Sequence, residues 1–146
     1  MQPVGTYSPD AVVVAWGPIL FSGFAKGSFV KLSKPDVAQT NSTQGADGHV
    51  ARVVRRSAPL RKVEVTLLQT SETNTLLRAQ AEADRLTGTV LWPFTIKDLS
   101  GSTLYSSPQA WIAERPEGEF AQEATNRPWM FEGLWSESEG GNAQTV

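Results

Sequence analysis

Cysteine is absent from this 146-residue chain, and histidine occurs once, as His49. The first absence excludes disulfide scaffolds and thiolate metal sites. The second leaves His-rich zinc sites and Ser-His-Asp chemistry little to draw on. No HExxH, P-loop or GxGxxG spacing occurs. No apolar run approaches the ~20 residues of a membrane span, and the N-terminus lacks the basic-then-apolar signature of a signal peptide. The expectation is assembly in the cytoplasm without stable membrane insertion. Acid pairs such as Glu117 and Glu119 suit glycosidase chemistry in principle, but a solvated turn explains them more simply. No internal repeat is present. These absences point away from an enzyme, a metal or a cofactor, and towards binding or assembly.

What the chain does have is apolar content and aromatics. Forty per cent of its residues are hydrophobic and five are Trp, which fits a packed core and not a disordered chain. The length fits one domain, residues 1–146, with an N-terminal arm over 1–10 and a loose acidic tail over 136–146. The five Trp suit either a core or subunit contacts, and the sequence alone does not separate the two. Net charge is −2, unevenly distributed. Residues 1–70 hold eight Lys/Arg against four Asp/Glu, and residues 71–146 hold five against eleven. A basic half and an acidic half suit head-to-tail contact between copies.

Lys62 to Asp98 organises the rest. Lys62–Leu67 alternates, placing Val63, Val65 and Leu67 on one face of a strand. Ser71 offers an N-cap oxygen, and the stretch 71–87 predicts the one helix, closed by Gly88. Leu76, Ala79, Ala83 and Leu86 recur at helical spacing and are expected to face the sheet. Gly88–Ile96 returns as a strand. Before this unit, Ala11–Trp16 and Ile19–Phe24 read as a hairpin across Gly17-Pro18, with Ser28–Leu32 following. After it come a type I turn at Asp98–Gly101, a strand Gln109–Arg115, and a last strand Arg127–Trp135. That last strand places Trp129, Phe131, Gly133 and Trp135 on one side, with Pro128 at its start or on an edge.

Residues 36–61 form the longest polar stretch and predict a loop or hairpin projecting from the body. Its basic flank lacks the exposed aromatics and groove-entering helix of a nucleic-acid reader. Candidate inter-subunit contacts in it are Asp36, Asn41, Gln44, Asp47 and His49, together with Arg52, Arg55, Arg56 and Arg61. Glu114, Glu117, Glu119 and Glu123 form the acidic candidates that would meet these arginines on a neighbour. Such a connector is expected to order only against that neighbour, so deleting residues 39–47 should leave a folded monomer. The arginines are expected to make subunit contacts and not to line a free channel.

Several pieces, taken in order, resemble the tail tube proteins of contractile-tailed bacteriophages. They are Gly23-Phe24-Ala25-Lys26-Gly27, Gly45-Ala46-Asp47-Gly48, and Leu68-Gln69-Thr70-Ser71 leading to Asn74 and Leu76. Asp98-Leu99-Ser100-Gly101, Ala110-Trp111-Ile112 with Pro116, and Arg127-Pro128-Trp129 complete the pattern. The resemblance implies a mainly β sandwich or barrel with one flanking helix, whose hexameric rings stack into a tube that DNA passes through. It also implies sheath, baseplate and tail terminator proteins as partners, and a place in the virion. The family has no catalytic residues to carry over. A secretion-system tube protein and a monomeric β-barrel binding module are the alternatives.

Overall fold

The computed structural model describes residues 8–101 and 103–138, and its alternating stretches are strands where their periodicity asks for them. After a short 3-10 turn, Pro9–Ala11, come β1 (Val12–Trp16), β2 (Ile19–Leu20) and β3 (Val30–Leu32). Next are β4 (Thr40–Gln44), β5 (Val50–Val54) and β6 (Leu60–Leu68). Helix α1 (Thr73–Thr87) leads to β7 (Trp92–Asp98), β8 (Leu104–Glu114), β9 (Asn126–Leu134) and β10 (Ser136–Ser138). The large sheet runs β2-β1-β7-β8-β9-β6-β3, with β10 on β8, and β4 and β5 form a separate two-stranded sheet. Its named pairings are all antiparallel.

Several elements differ from the sequence expectation: β2 ends at Leu20 and not at Phe24, β3 begins at Val30 and not at Ser28, and α1 begins at Thr73 and not at residue 71. β7 begins at Trp92, because Thr89–Leu91 make a tight turn in which the Leu91 N–H donates to the Thr89 carbonyl. β8 extends back to Leu104, where β7 and β10 pair with it on either side. The tail over 136–146 is not loose throughout: Ser136–Ser138 pair with Leu104–Ser106, while 139–146 lie outside the described residues. So do residues 1–7 of the N-terminal arm.

The core is aromatic. Val63, Val65 and Leu67 are fully buried on one face of β6, and Trp129, Phe131 and Trp135 lie buried along β9 and just beyond it. Phe94 packs edge-on against Phe131 at 5.0 Å and against Trp135 at 5.3 Å, while Trp16 meets Phe131 at 5.2 Å. Those spacings fall in the favourable range for aromatic pairs. Trp16 Nε1 donates to the Ala110 carbonyl at 3.0 Å, and Trp129 Nε1 donates to Asn74 Oδ1 at 2.9 Å. Trp92 and Trp111 are half-buried, so the tryptophans are divided between core and rim. Pro128 sits within β9 but beyond Met130, the last β9 residue paired with β8, so that segment has β6 alone as its neighbour. A missing N–H is tolerated there.

The helix is where the sequence points to the wrong face. Leu76 is 50% exposed and Leu86 74%, Ala79 is exposed, and Ala83 is half-buried. The inward stripe is Thr73, Asn74, Leu77 and Ala81. The helix entry fixes this rotation. Ser71 Oγ donates to the Ser22 carbonyl at 2.6 Å and accepts the Thr73 N–H at 3.3 Å, while Thr73 Oγ1 accepts the Ser22 N–H at 3.2 Å. Gly23, at φ +71°, lets this approach happen, since a Cβ there would stand 2.7 Å from Ser71 Cβ. Gly88 ends the helix at φ +67°, as expected.

Gly133 marks a close crossing of β9 over β8. A Cβ on it would lie 2.7 Å from the Gln109 carbonyl oxygen and 2.9 Å from Ser107 Oγ. Backbone cannot move aside cheaply in a packed interior, so Gly133→Ala is expected to cost about 1–3 kcal/mol. Urea denaturation of the variant against the parent chain measures it.

Candidate functional site

The β4–β5 hairpin stands apart from the body. Its register pairs Thr40 with Val54, Ser42 with Arg52 and Gln44 with Val50, and every residue of both strands is exposed. A further bond, from the Arg55 N–H to the Gln39 carbonyl at 2.8 Å, closes its base. The long polar stretch is thus a regular ladder and not an irregular loop. The reason is local propensity: Val50, Val53 and Val54 favour a strand, and Gly45-Ala46-Asp47-Gly48 supplies the turn. At the tip the Gly45 N–H donates to the His49 carbonyl, and Asp47 Oδ1 accepts the His49 N–H at 3.2 Å. His49 Nδ1 lies 2.6 Å from Asp47 Oδ2, and these hydrogen bonds hold the Asp47 carboxyl below its usual range. Both side chains face solvent, so the pair fixes the shape of the tip more than it adds stability.

The candidate cations divide into two groups. Arg61, on β6, is engaged within the chain: Nε donates to the Ser33 carbonyl at 2.7 Å and Nη1 reaches Glu137 Oε2 at 2.7 Å. Arg55 Nη1 donates to the Ala38 carbonyl at 2.8 Å, which braces the hairpin root. Arg52 and Arg56 are exposed, as are Asp36, Asn41 and Gln44. Val50 is 65% and Val53 59% exposed, so apolar and cationic groups share one surface.

Glu114, Glu117, Glu119 and Glu123 are all exposed, at the end of β8 and in the loop 115–125. Two arginines pin this loop, and the sequence reading gave neither of them that role. Arg115 Nη1 pairs with Glu82 Oε1 of α1 at 2.8 Å. Arg115, and then Arg85, lower the Glu82 pKa, so both ion pairs persist at neutral pH and are lost as pH falls through that depressed value. Arg127, buried, donates from Nη2 to the Glu119 carbonyl at 2.6 Å and from Nη1 to Thr125 Oγ1 and the Asn126 carbonyl. Phe120, missed as well, is 92% exposed beside these glutamates.

The basic and acidic groups lie at opposite ends of the sheet. The hairpin leaves the body between Leu32 and Leu60, and Leu60 pairs with Leu134. The acidic loop joins Glu114 to Asn126, and Asn126 pairs with Leu68 at the other end of β6. Leu60 and Leu68 are eight strand residues apart, roughly 27 Å. The basic hairpin and the acidic loop thus leave from opposite ends of β6. Among the described residues no group of three His, Asp or Glu could hold a metal ion, and no helix is long and apolar enough to cross a membrane.

No protein-family model matches the chain. Its fold is similar to that of the tube terminating cap of the anti-feeding prophage, with a TM-score of 0.64 over 96% of this chain and 95% of that one, at 8% sequence identity. That likeness is one of fold: an antiparallel sheet with one helix. In sequence the chain is 31% identical to structural protein ORF10 of Pseudomonas phage KPP10 over an alignment 134 residues long that covers 86% of this chain and 76% of that protein. At that identity and coverage, the chain belongs to the phage structural protein family that includes ORF10.

Proposed function

We infer that this structural protein is the repeating subunit of a phage tail tube, in which hexameric rings stack around a channel for double-stranded DNA. The observation that carries the reading is the β4–β5 hairpin, a two-stranded ladder with both faces in solvent and, among the described residues, no partner strand on either edge. Such a ladder is marginal alone in water, and its open edges invite unwanted pairing unless a neighbour covers them. A neighbouring copy supplies that cover. Arg52, Arg55 and Arg56 then meet Glu114, Glu117, Glu119 and Glu123 of the next subunit, with Asp36, Asn41, Gln44, Asp47 and His49 along the same contact. Arg61 supports the hairpin root from inside its own chain. Because the two surfaces differ, the contact is heterologous and repeats in rings or stacks. Sheath, baseplate and terminator proteins would complete the tail, and no catalytic role is assigned.

A second reading follows from the solved fold neighbour, which is a tube terminating cap. A cap forms a single ring that does not stack on itself. Negative-stain electron microscopy with sedimentation velocity of the purified protein separates the cases. Tubes support the tube subunit and closed rings that never stack support the cap. A monomer at every concentration refutes both, and would favour a solitary β-barrel module. A secretion-system tube would give the same images but would not assemble with sheath from the parent phage. Assembly is expected to weaken as salt rises from 0.1 to 1 M, where the Debye length falls from ~10 to ~3 Å. Turbidity across that series checks it.

A further inference from the structure

The hairpin meets the body at two points, and the C-terminal segment is bonded at both. The chain leaves β3 at Ser33, whose N–H and Oγ each donate to the Lys62 carbonyl at 2.9 Å. It returns through Pro59, whose carbonyl accepts the Trp135 N–H at 3.1 Å. Arg61 ties the first point to the C-terminal segment. Its Nε donates to the Ser33 carbonyl at 2.7 Å, and its Nη1 holds Glu137 Oε2 at 2.7 Å. The Arg61 side chain is only 12% exposed, so without its carboxylate the guanidinium would keep a poorly solvated charge. Glu137 is the middle residue of β10 and pairs with Tyr105 of β8. β10 is three residues long and exposed throughout. Among the described residues it has its short ladder, the Ser136–Ser106 contact and this grip to hold it.

We infer that Arg61 is a coupler: the docking of β10 on β8 and the seating of the hairpin on the body form one cooperative event. A guanidinium is planar and rigid, so both contacts come from one orientation of the side chain. Losing Glu137 frees the group that also grips Ser33, and losing order at Ser33 frees the group that grips Glu137. A coupling between two sites in one molecule is reciprocal. A partner that grips the hairpin therefore tightens β10, and one that strips β10 from β8 loosens the hairpin. The clasp lies within one chain and holds whether or not the chain assembles.

Amide-resolved hydrogen exchange on the free full-length chain tests this in both directions. Ser33, whose N–H donates to the Lys62 carbonyl, reports the hairpin root. Phe21, whose N–H donates to the Val14 carbonyl, reports opening of the whole sheet. Glu137→Ala, at a half-exposed position, is expected to speed exchange at Ser33 about fivefold and to leave Phe21 unchanged. Truncation after Trp135 removes β10 whole and should speed Ser33 at least as much. In the other direction, Ser33→Ala removes the hydroxyl bonds to Lys62 without touching β10, and should speed the β10 amides paired with β8. A Glu137→Ala variant that speeds β10 alone, with Ser33 at the parent rate, would overturn the coupling. So would β10 amides at the parent rate in Ser33→Ala. Equal acceleration at Ser33 and Phe21 would overturn it as well, because the sheet would then open as a whole.

Discussion

Leu77→Ala is expected to lower the unfolding free energy by ~2–5 kcal/mol, and Leu76→Ala by no more than about 0.5 kcal/mol. The two leucines are adjacent in sequence, yet Leu77 is fully buried and Leu76 is half in water. Truncating Leu77 removes its transfer free energy and leaves a cavity between helix and sheet that close-packed neighbours fill only in part. Truncating Leu76 removes contacts with solvent. Urea unfolding monitored by Trp fluorescence compares the two directly. Equal losses in the two variants, or a larger loss at Leu76, would mean that α1 is rotated from the position described here.

That pair also shows where the sequence is legible and where it is not. Strands with one buried face announce themselves: β6 and β9 read as strict alternation because each turns every second side chain into the core. The helix announces its existence and its end at Gly88 but not its phase. The more apolar stripe, Leu76, Ala79, Ala83 and Leu86, lies largely outward, and two of the inward residues, Thr73 and Asn74, are polar. Asn74 is buried because its amide donates to the Leu68 carbonyl at 2.8 Å and its oxygen serves Trp129. The Trp129 partner lies 55 residues away, and a rule based on hydrophobicity passes over such polar contacts. The first half of β8 and all of β10 are hidden for a related reason. Their Ser-rich segments pair through backbone, and Pro108 interrupts the expected pattern. In the candidate surface the charges are legible from composition. The pins Arg115 and Arg127 are not, and Phe120 was available as the one large apolar residue in an acidic loop.

The second large effect concerns the hairpin. Replacing residues 39–55 with a short Gly/Ser linker is expected to leave a folded chain and to abolish higher assembly. The first half follows from topology: among the described residues β4 and β5 pair only with each other, so their loss removes no strand from the large sheet. Closing the gap with a shorter flexible loop changes the closure entropy by only ~0.6 kcal/mol per halving of length. The second half follows from exposure, because the missing surface is the one that carries Arg52, Arg55 and the outward valines. Thermal unfolding within a few degrees of the parent, combined with monomeric sedimentation, is the expected pair of results. Normal tubes from this variant would place stacking on other surfaces.

Arg127 carries a consequence for how often a subunit can be used. Its guanidinium is buried, and its named partners are carbonyls and a hydroxyl of its own neighbourhood; among the described residues it forms no ion pair. Bulk ions screen exposed charge pairs strongly and sheltered hydrogen bonds far less. Salt that releases one copy from the next therefore leaves the 115–125 loop held at Glu119. A released subunit needs no refolding before it can join again, so dilution or desalting should restore assembly at the original rate, cycle after cycle.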